Sequence, residues 1–172
     1  MYYWRVTKYN PIYRDDKGRY TKNEWTSIGD IGKFYEGEEL TYDKYVAIEK
    51  LYIEAVILAM TEANIEYFKI TGLEKRRYTI NDNVSITTTK MFYKSLKDNI
   101  HVSIDDITIL VKLILREIVW VRLESDILNI HFGYDYYMYF CSKKRLKKTE
   151  KIIKEKGLFV ENFKSPYIEY ED

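Results

Sequence analysis

The chain has 172 residues, 46% of them hydrophobic and 32% charged, with only two prolines: enough for one ordinary domain with a real core, and too apolar for a disordered chain. Lysine and arginine number 28 against 27 acidic residues, and this net charge of +1 excludes a global attraction to nucleic acid or an acidic membrane, leaving such binding to local patches. A single cysteine, Cys141, excludes an intrachain disulfide and gives no sign of an oxidising compartment.

No stretch reads as a linker, so one globular domain over residues 1 to 172 is expected. The opening "MYYWRVTKYN" lacks the basic segment, apolar run and small-residue cleavage site of a signal peptide. The apolar run "AVILAM" falls far short of the roughly 20 residues that span a bilayer. Cytoplasm is the expected location.

In chain order, "YYWRVTKY" predicts a short strand stopped at Asn10-Pro11, because proline removes a donor and biases its predecessor away from helix. Residues 11 to 40 have no period, being broken by glycines at 18, 29, 32 and 37, although "SIGD" at 27 to 30 has the form of a helix start. Thr41 caps a helix running to about Ala63, with Tyr45, Ile48, Tyr52, Ala55, Val56 and Ala59 as its apolar stripe. "IEYFKITGL" follows as a strand ending near Gly72. Between 75 and 100, "INDN" reads as a turn, and "SITTTKMFYKSL" fits strand by its threonines and helix by its Met91-to-Leu96 spacing.

Ser103 with Asp106 has the form of a capping box for a helix ending near Arg116, its stripe being Ile107, Leu110, Val111, Ile114 and Leu115. Two alternating strands come next, "VWVRL" and "ILNIHF", joined by the turn residues "ESD". After a turn at Gly133 to Asp135, "YYMYFC" is a third strand. Ser142 then caps a basic helix to Lys156, Gly157 ends it, and "LFVENF" returns as a strand. The fold class is α+β, with three principal helices, a mainly antiparallel sheet in which a mixed arrangement stays open, and a C-terminal half ordered α-β-β-β-α-β.

If the apolar faces of the strands point to the helices, their reverse faces carry Trp120, Arg122, Asn129 and His131, joined from the third strand either by Tyr137 and Tyr139 or by Tyr136 and Met138. Rings mixed with hydrogen-bonding groups are what partner-binding surfaces favour, so Trp120, Arg122, Asn129, His131, Tyr137 and Tyr139 form the candidate partner-binding set. The competing reading has segment 10 to 40 or another helix covering this face, with the tyrosines as ordinary core.

Residues 143 to 156, "KKRLKKTEKIIKEK", carry eight basic residues against two glutamates, a net +6 that leaves −5 to the rest of the chain. That helix could meet nucleic acid phosphates or an acidic protein, or could simply be a solvated face over Leu146, Ile152 and Ile153. The remaining −5 suits a basic partner instead. No P-loop, G-x-G-x-x-G, H-E-x-x-H or C-x-x-C occurs, so no cofactor or metal is expected; Asp105 and Asp106 read as helix-start residues. Cys141, next to lysines and ahead of a helix, sits where a thiol pKa can fall, with His131 the obvious base. A hairpin turning at about 134 sets His131 opposite a residue near Tyr137 and leaves Cys141 roughly 13 Å along the strand, out of reach. An enzyme would then need a pocket in segment 10 to 40, lined by groups such as Arg14, Asp15, Trp25 and Asp30.

The segments "YWRVTKYNP", "RDDKGRY", "EWTSIGDIG" and "GLFVENFKSPY" resemble recurring segments of small cytoplasmic proteins of Gram-positive bacteria, some of them associated with the immunity proteins of polymorphic toxin systems. The resemblance spans both ends of the chain and carries no catalytic residues over. It implies a stoichiometric binder of a protein such as a toxin rather than an enzyme. Nucleic acid remains the alternative partner, and no membrane is implied.

Overall fold

One seven-stranded sheet recruits strands from both ends of the chain, with the order β5-β4-β6-β7-β8-β1-β9 and every pairing antiparallel. The computed structural model describes residues 1 to 76 and 86 to 168. The chain forms β1 (Tyr2–Thr7), 3₁₀ turns at Pro11–Tyr13 and Ile28–Asp30, a ribbon of β2 (Phe34–Tyr35) and β3 (Glu38–Glu39), α1 (Tyr42–Ala63) and β4 (Tyr67–Lys75). Next come α2 (Ile86–Ser95), β5 (His101–Ser103), α3 (Ile104–Leu115), β6 (Val119–Glu124), β7 (Leu128–Phe132), β8 (Tyr137–Ser142), α4 (Lys147–Glu155) and β9 (Phe159–Glu161). The class is α+β, and the order from α3 onward is α-β-β-β-α-β as expected. Among the described residues every strand pair is antiparallel, within the expected mainly antiparallel sheet, and α2 adds a fourth helix from the stretch whose signals conflicted. The "INDN" turn lies outside the described residues.

Local signals account for most boundaries. Thr41 Oγ1 accepts the Lys44 N–H at 3.3 Å at the start of α1, and Asn64 closes it in the left-handed region at φ 58°. "SIGD" forms a complete capping box on its single turn. α4 begins at Lys147, later than Ser142 implies, because its cap comes from another helix. Glu62 of α1 accepts the backbone N–H groups of Lys148 and Thr149 at 3.1 and 2.7 Å. Burial alone would raise the Glu62 pKa, but these bonds hold it below the usual carboxylate range. Ser142 Oγ instead accepts the Lys144 N–H in the preceding turn.

The core lies between the helices and one face of the sheet. Val6, Phe68, Ile70, Val121, Leu123, Ile130, Met138 and Phe140 are buried in one cluster with Tyr52, Val56 and Ala59 of α1 and Leu110 and Val111 of α3. Trp4 stacks on Phe140 across β1 and β8, ring centroids 5.1 Å apart. One polar exception sits within this layer: Glu49, 1% exposed, takes both arms of the Arg116 guanidinium at 2.6 and 3.0 Å and ties α1 to the end of α3.

Candidate functional site

The reverse face of the sheet is a transverse row of polar and aromatic side chains. Register places Thr71, Arg122, His131, Tyr139, Arg5 and Glu161 in line across six strands. Tyr137 and Tyr139, not Tyr136 and Met138, share the face of Arg122 and His131. Trp120 and Asn129 lie on it as well, but each has a local duty. The Trp120 indole donates to Phe132 O at 2.8 Å, and Asn129 Oδ1 accepts the Ser125 N–H at 3.0 Å, closing the β6–β7 turn.

His131 opposes Tyr139 rather than a residue near Tyr137, because the hairpin turns around Asp135 and Tyr136 instead of 134. Cys141 opposes Asn129, two positions beyond Tyr139 along β8. It is buried in the strand, five residues short of Leu146, which precedes α4, and burial raises its thiol pKa rather than lowering it. His101 is in β5 and packs edge-on against Tyr67 at 4.8 Å.

The segment after β9 covers the middle of this face, over His131 and Tyr139, while segment 10 to 40 reaches it only at one end, where Arg14 meets Tyr137 and Glu161. Ser165 Oγ hydrogen-bonds with His131 Nδ1 at 2.8 Å, and the Tyr167 ring meets Trp120, His131 and Tyr139 at 5.8, 6.3 and 6.0 Å. Phe163 packs on Tyr139 at 5.8 Å and lies 4.1 Å beneath the Arg5 guanidinium. His131 and Tyr139 are consequently only 5% and 7% exposed. Burial, and then the Arg122 charge, push the His131 pKa down to about 4 against a smaller opposing pull from Glu124. The visible signal was two aromatic residues, Phe163 and Tyr167, flanking Ser165 and Pro166 in "FKSPY"; Ser165 Oγ also accepts the Tyr167 N–H at 3.2 Å in the turn.

Segment 10 to 40 wraps the β1 and β9 edge and divides its side chains among structural tasks. Arg14 grips Glu161 at 2.9 and 3.0 Å and donates to Tyr137 Oη. Although burial would raise the Glu161 pKa, hydrogen bonds from Arg5 and Arg14 hold it below the usual range. Asp15 binds Arg19 in a turn, and Asp30 closes the capping box and pairs with Lys33 at 2.7 Å. Trp25 packs against Tyr136 and Tyr45. These four groups do not line a common pocket.

An aromatic-lined concavity lies elsewhere, at the end of the sheet where β7 turns into β8. Asp135 and Tyr136 both have positive φ, 58° and 61°, and the Tyr137 N–H closes the turn on Tyr134 O at 3.3 Å. This is type I′ geometry, which normally selects Asn-Gly and is strained for tyrosine. Tertiary packing imposes it. The Tyr136 ring is caged edge-on by Trp25 at 5.0 Å, Tyr52 at 5.1 Å and Tyr45 at 6.1 Å, and Tyr52 Oη donates to Tyr136 O at 2.6 Å.

The turn presents Tyr134, 81% exposed, beside a cleft of about 330 Å³. Trp120, Tyr134, Tyr137 and Tyr167 contribute rings to its wall, Ile114 and Met138 contribute aliphatic surface, and segment 10 to 40 supplies only Thr26. Two glycines shape the wall. Gly72, beside Trp120 and Arg122, takes φ 65° in a β-bulge of β4, a conformation that favours glycine. A Cβ on Gly133 would come within 2.9 Å of the Tyr139 ring. The cleft's size and its mixture of rings and polar groups are those of a ligand-binding concavity.

Among the described residues, no group of three His, Cys, Asp or Glu side chains could hold a metal ion, and no helix is long and apolar enough to cross a membrane. Comparisons with protein-family models, with curated proteins and with solved structures returned no match.

Proposed function

We propose that this protein is a non-catalytic binding module that acts in the cytoplasm as the stoichiometric partner of another protein, in the manner of an immunity protein neutralising a toxin. The observation that carries this reading is the strained Asp135-Tyr136 turn, which holds Tyr134, 81% exposed, at the mouth of an aromatic cleft. Backbone strain of this kind persists only where the surroundings override it, and it gathers at working sites. Tyrosine and tryptophan around a concavity are the residues on which interfaces concentrate their energy. Within the expected partner-binding set, Trp120 and Tyr137 reach the cleft, whereas His131 and Tyr139 support it from beneath the C-terminal segment. The resemblance of four segments to small proteins of Gram-positive bacteria, some of them associated with toxin immunity, supports the same reading.

The test is affinity purification of the tagged protein from its native host, run in parallel with Tyr134→Ala and Trp120→Ala. One protein recovered in equimolar amount is expected, its affinity falling about tenfold or more in either variant. A stoichiometric partner that both variants hold as tightly as wild type, or none at all, overturns the reading. Growth arrest by that partner alone, relieved on coexpression, identifies toxin neutralisation.

A second reading rests on the basic stretch at α4. Lys143, Lys144, Lys147 and Lys148 are exposed and have no ion-pair partner among the described residues, while Lys151 and Lys156 are paired with Glu155 and Glu54. Nucleic acid binding there requires an affinity whose logarithm falls linearly with log salt and collapses in a Lys144→Glu/Lys147→Glu variant.

A further inference from the structure

We infer that the cleft beside the β7–β8 turn is a receptor for a cationic side chain, arginine foremost, presented by the protein partner. The inference rests on the partner-binding reading and specifies the chemistry of what docks. The charged groups lining the cleft are Glu74, Glu117, Asp135 and Arg76, a net −2. Arg76 and Glu117 already satisfy each other at 3.0 Å. Glu74 and Asp135 have no ion-pair partner among the described residues, and register sets Glu74 directly opposite Trp120 on the same face of the sheet.

The aromatic wall points the same way. The protein pairs its own cations with its own rings: Arg5 and Arg14 with Tyr137, Lys8 with Tyr9 and Trp25, and Lys22 with Tyr13. Tyr137 of the cleft wall is thus already engaged, but among the described residues no cation lies over Trp120, Tyr134 or Tyr167, which share the cleft with Glu74 and Asp135. A guanidinium satisfies both features at once, because it stacks flat on rings while its edge donates to carboxylates. An uncharged apolar side chain would fill the space and leave the carboxylates unanswered. The chain outside the basic helix segment carries −5, which favours a basic partner over an acidic one.

The experiment titrates the intact protein with the peptide Gly-Ser-Arg-Ser-Gly, and separately with its norleucine counterpart, following the Trp120 indole N–H by NMR. The arginine peptide is expected to shift that resonance saturably and to bind about fivefold or more tighter than norleucine, the advantage a partly exposed cation–ring contact supplies. The Glu74→Gln/Asp135→Asn variant should lose most of this preference; asparagine is favoured at the turn position of Asp135, so the hairpin stays intact. Equal binding of the two peptides, no shift of the indole signal, or a preference unchanged in the variant overturns the inference. Its failure is separable from that of the function: a partner lost on Tyr134→Ala but retained by Glu74→Gln/Asp135→Asn keeps the binder and removes the cation. Arginine selectivity without any protein partner does the reverse.

Discussion

The two faces of the sheet are built from the same strands by the same alternation, yet they are completed in different ways. The helix face is closed by α1, α3 and α4 through a broad apolar cluster, and side chains such as Val121, Ile130 and Phe140 are fully excluded from solvent. Seven residues after β9 cover much of the reverse face, which holds Arg5, Arg122, His131 and Tyr139, and they do so through three side chains, Phe163, Ser165 and Tyr167. The contrast teaches that one face is held by area and the other by a small number of specific pairings. A single change should therefore act by volume on the first and by protonation or contact geometry on the second.

The largest effect should come from the helix face. Phe140→Ala removes a fully buried ring stacked on Trp4 and should cost about 3–5 kcal/mol in denaturant unfolding. A loss under about 1 kcal/mol would mean that this face is not the dominant core.

Next is the response of the reverse face to acid. His131 resists protonation down to about pH 4 in the folded chain, against 6.5 for the ordinary side chain, so the unfolded state binds the extra proton between these values. Its contribution is fully present above about pH 6.5 and is lost as pH falls toward 4, up to about 3 kcal/mol. Thermal unfolding at pH 7 and pH 4.5 should show a steeper decline for wild type than for His131→Gln. Parallel declines would break the link between the histidine and the segment that covers it.

Gly133→Ala probes the boundary between the faces. The added methyl meets the Tyr139 ring at 2.9 Å and should destabilise by about 1–3 kcal/mol, with perturbed indole signals from Trp120. The smallest change belongs to the solvated side of α4: Lys151→Ala removes an exposed pair with Glu155 and should alter stability by less than about 0.5 kcal/mol.

Local pattern made much of the architecture readable. The stripes of α1 and α3, the alternation of β6 and β7 and the glycine after α4 each depend on residues within a few positions of one another. The reverse-face set was readable for the same reason, since period two alone places Trp120, Arg122 and His131 together. Glu49 at a core position was not readable, because its burial depends on Arg116 arriving from 67 residues away. The start of α4 was misread for a similar cause: its cap, Glu62, lies 86 residues earlier.

The hairpin joining β7 and β8 marks where local inference stops. Read locally, Gly133 should carry the turn and Tyr136 should lie in the strand, since tyrosine resists positive φ. The cage of Trp25, Tyr45 and Tyr52 reverses that preference, shifts the register by two residues and creates the cleft. Secondary structure and the choice of faces follow from short-range periodicity, which each segment expresses on its own. Strand order, the covering of the reverse face and the site at the turn depend on contacts between distant segments, whose packing energy exceeds the local preferences it overrides.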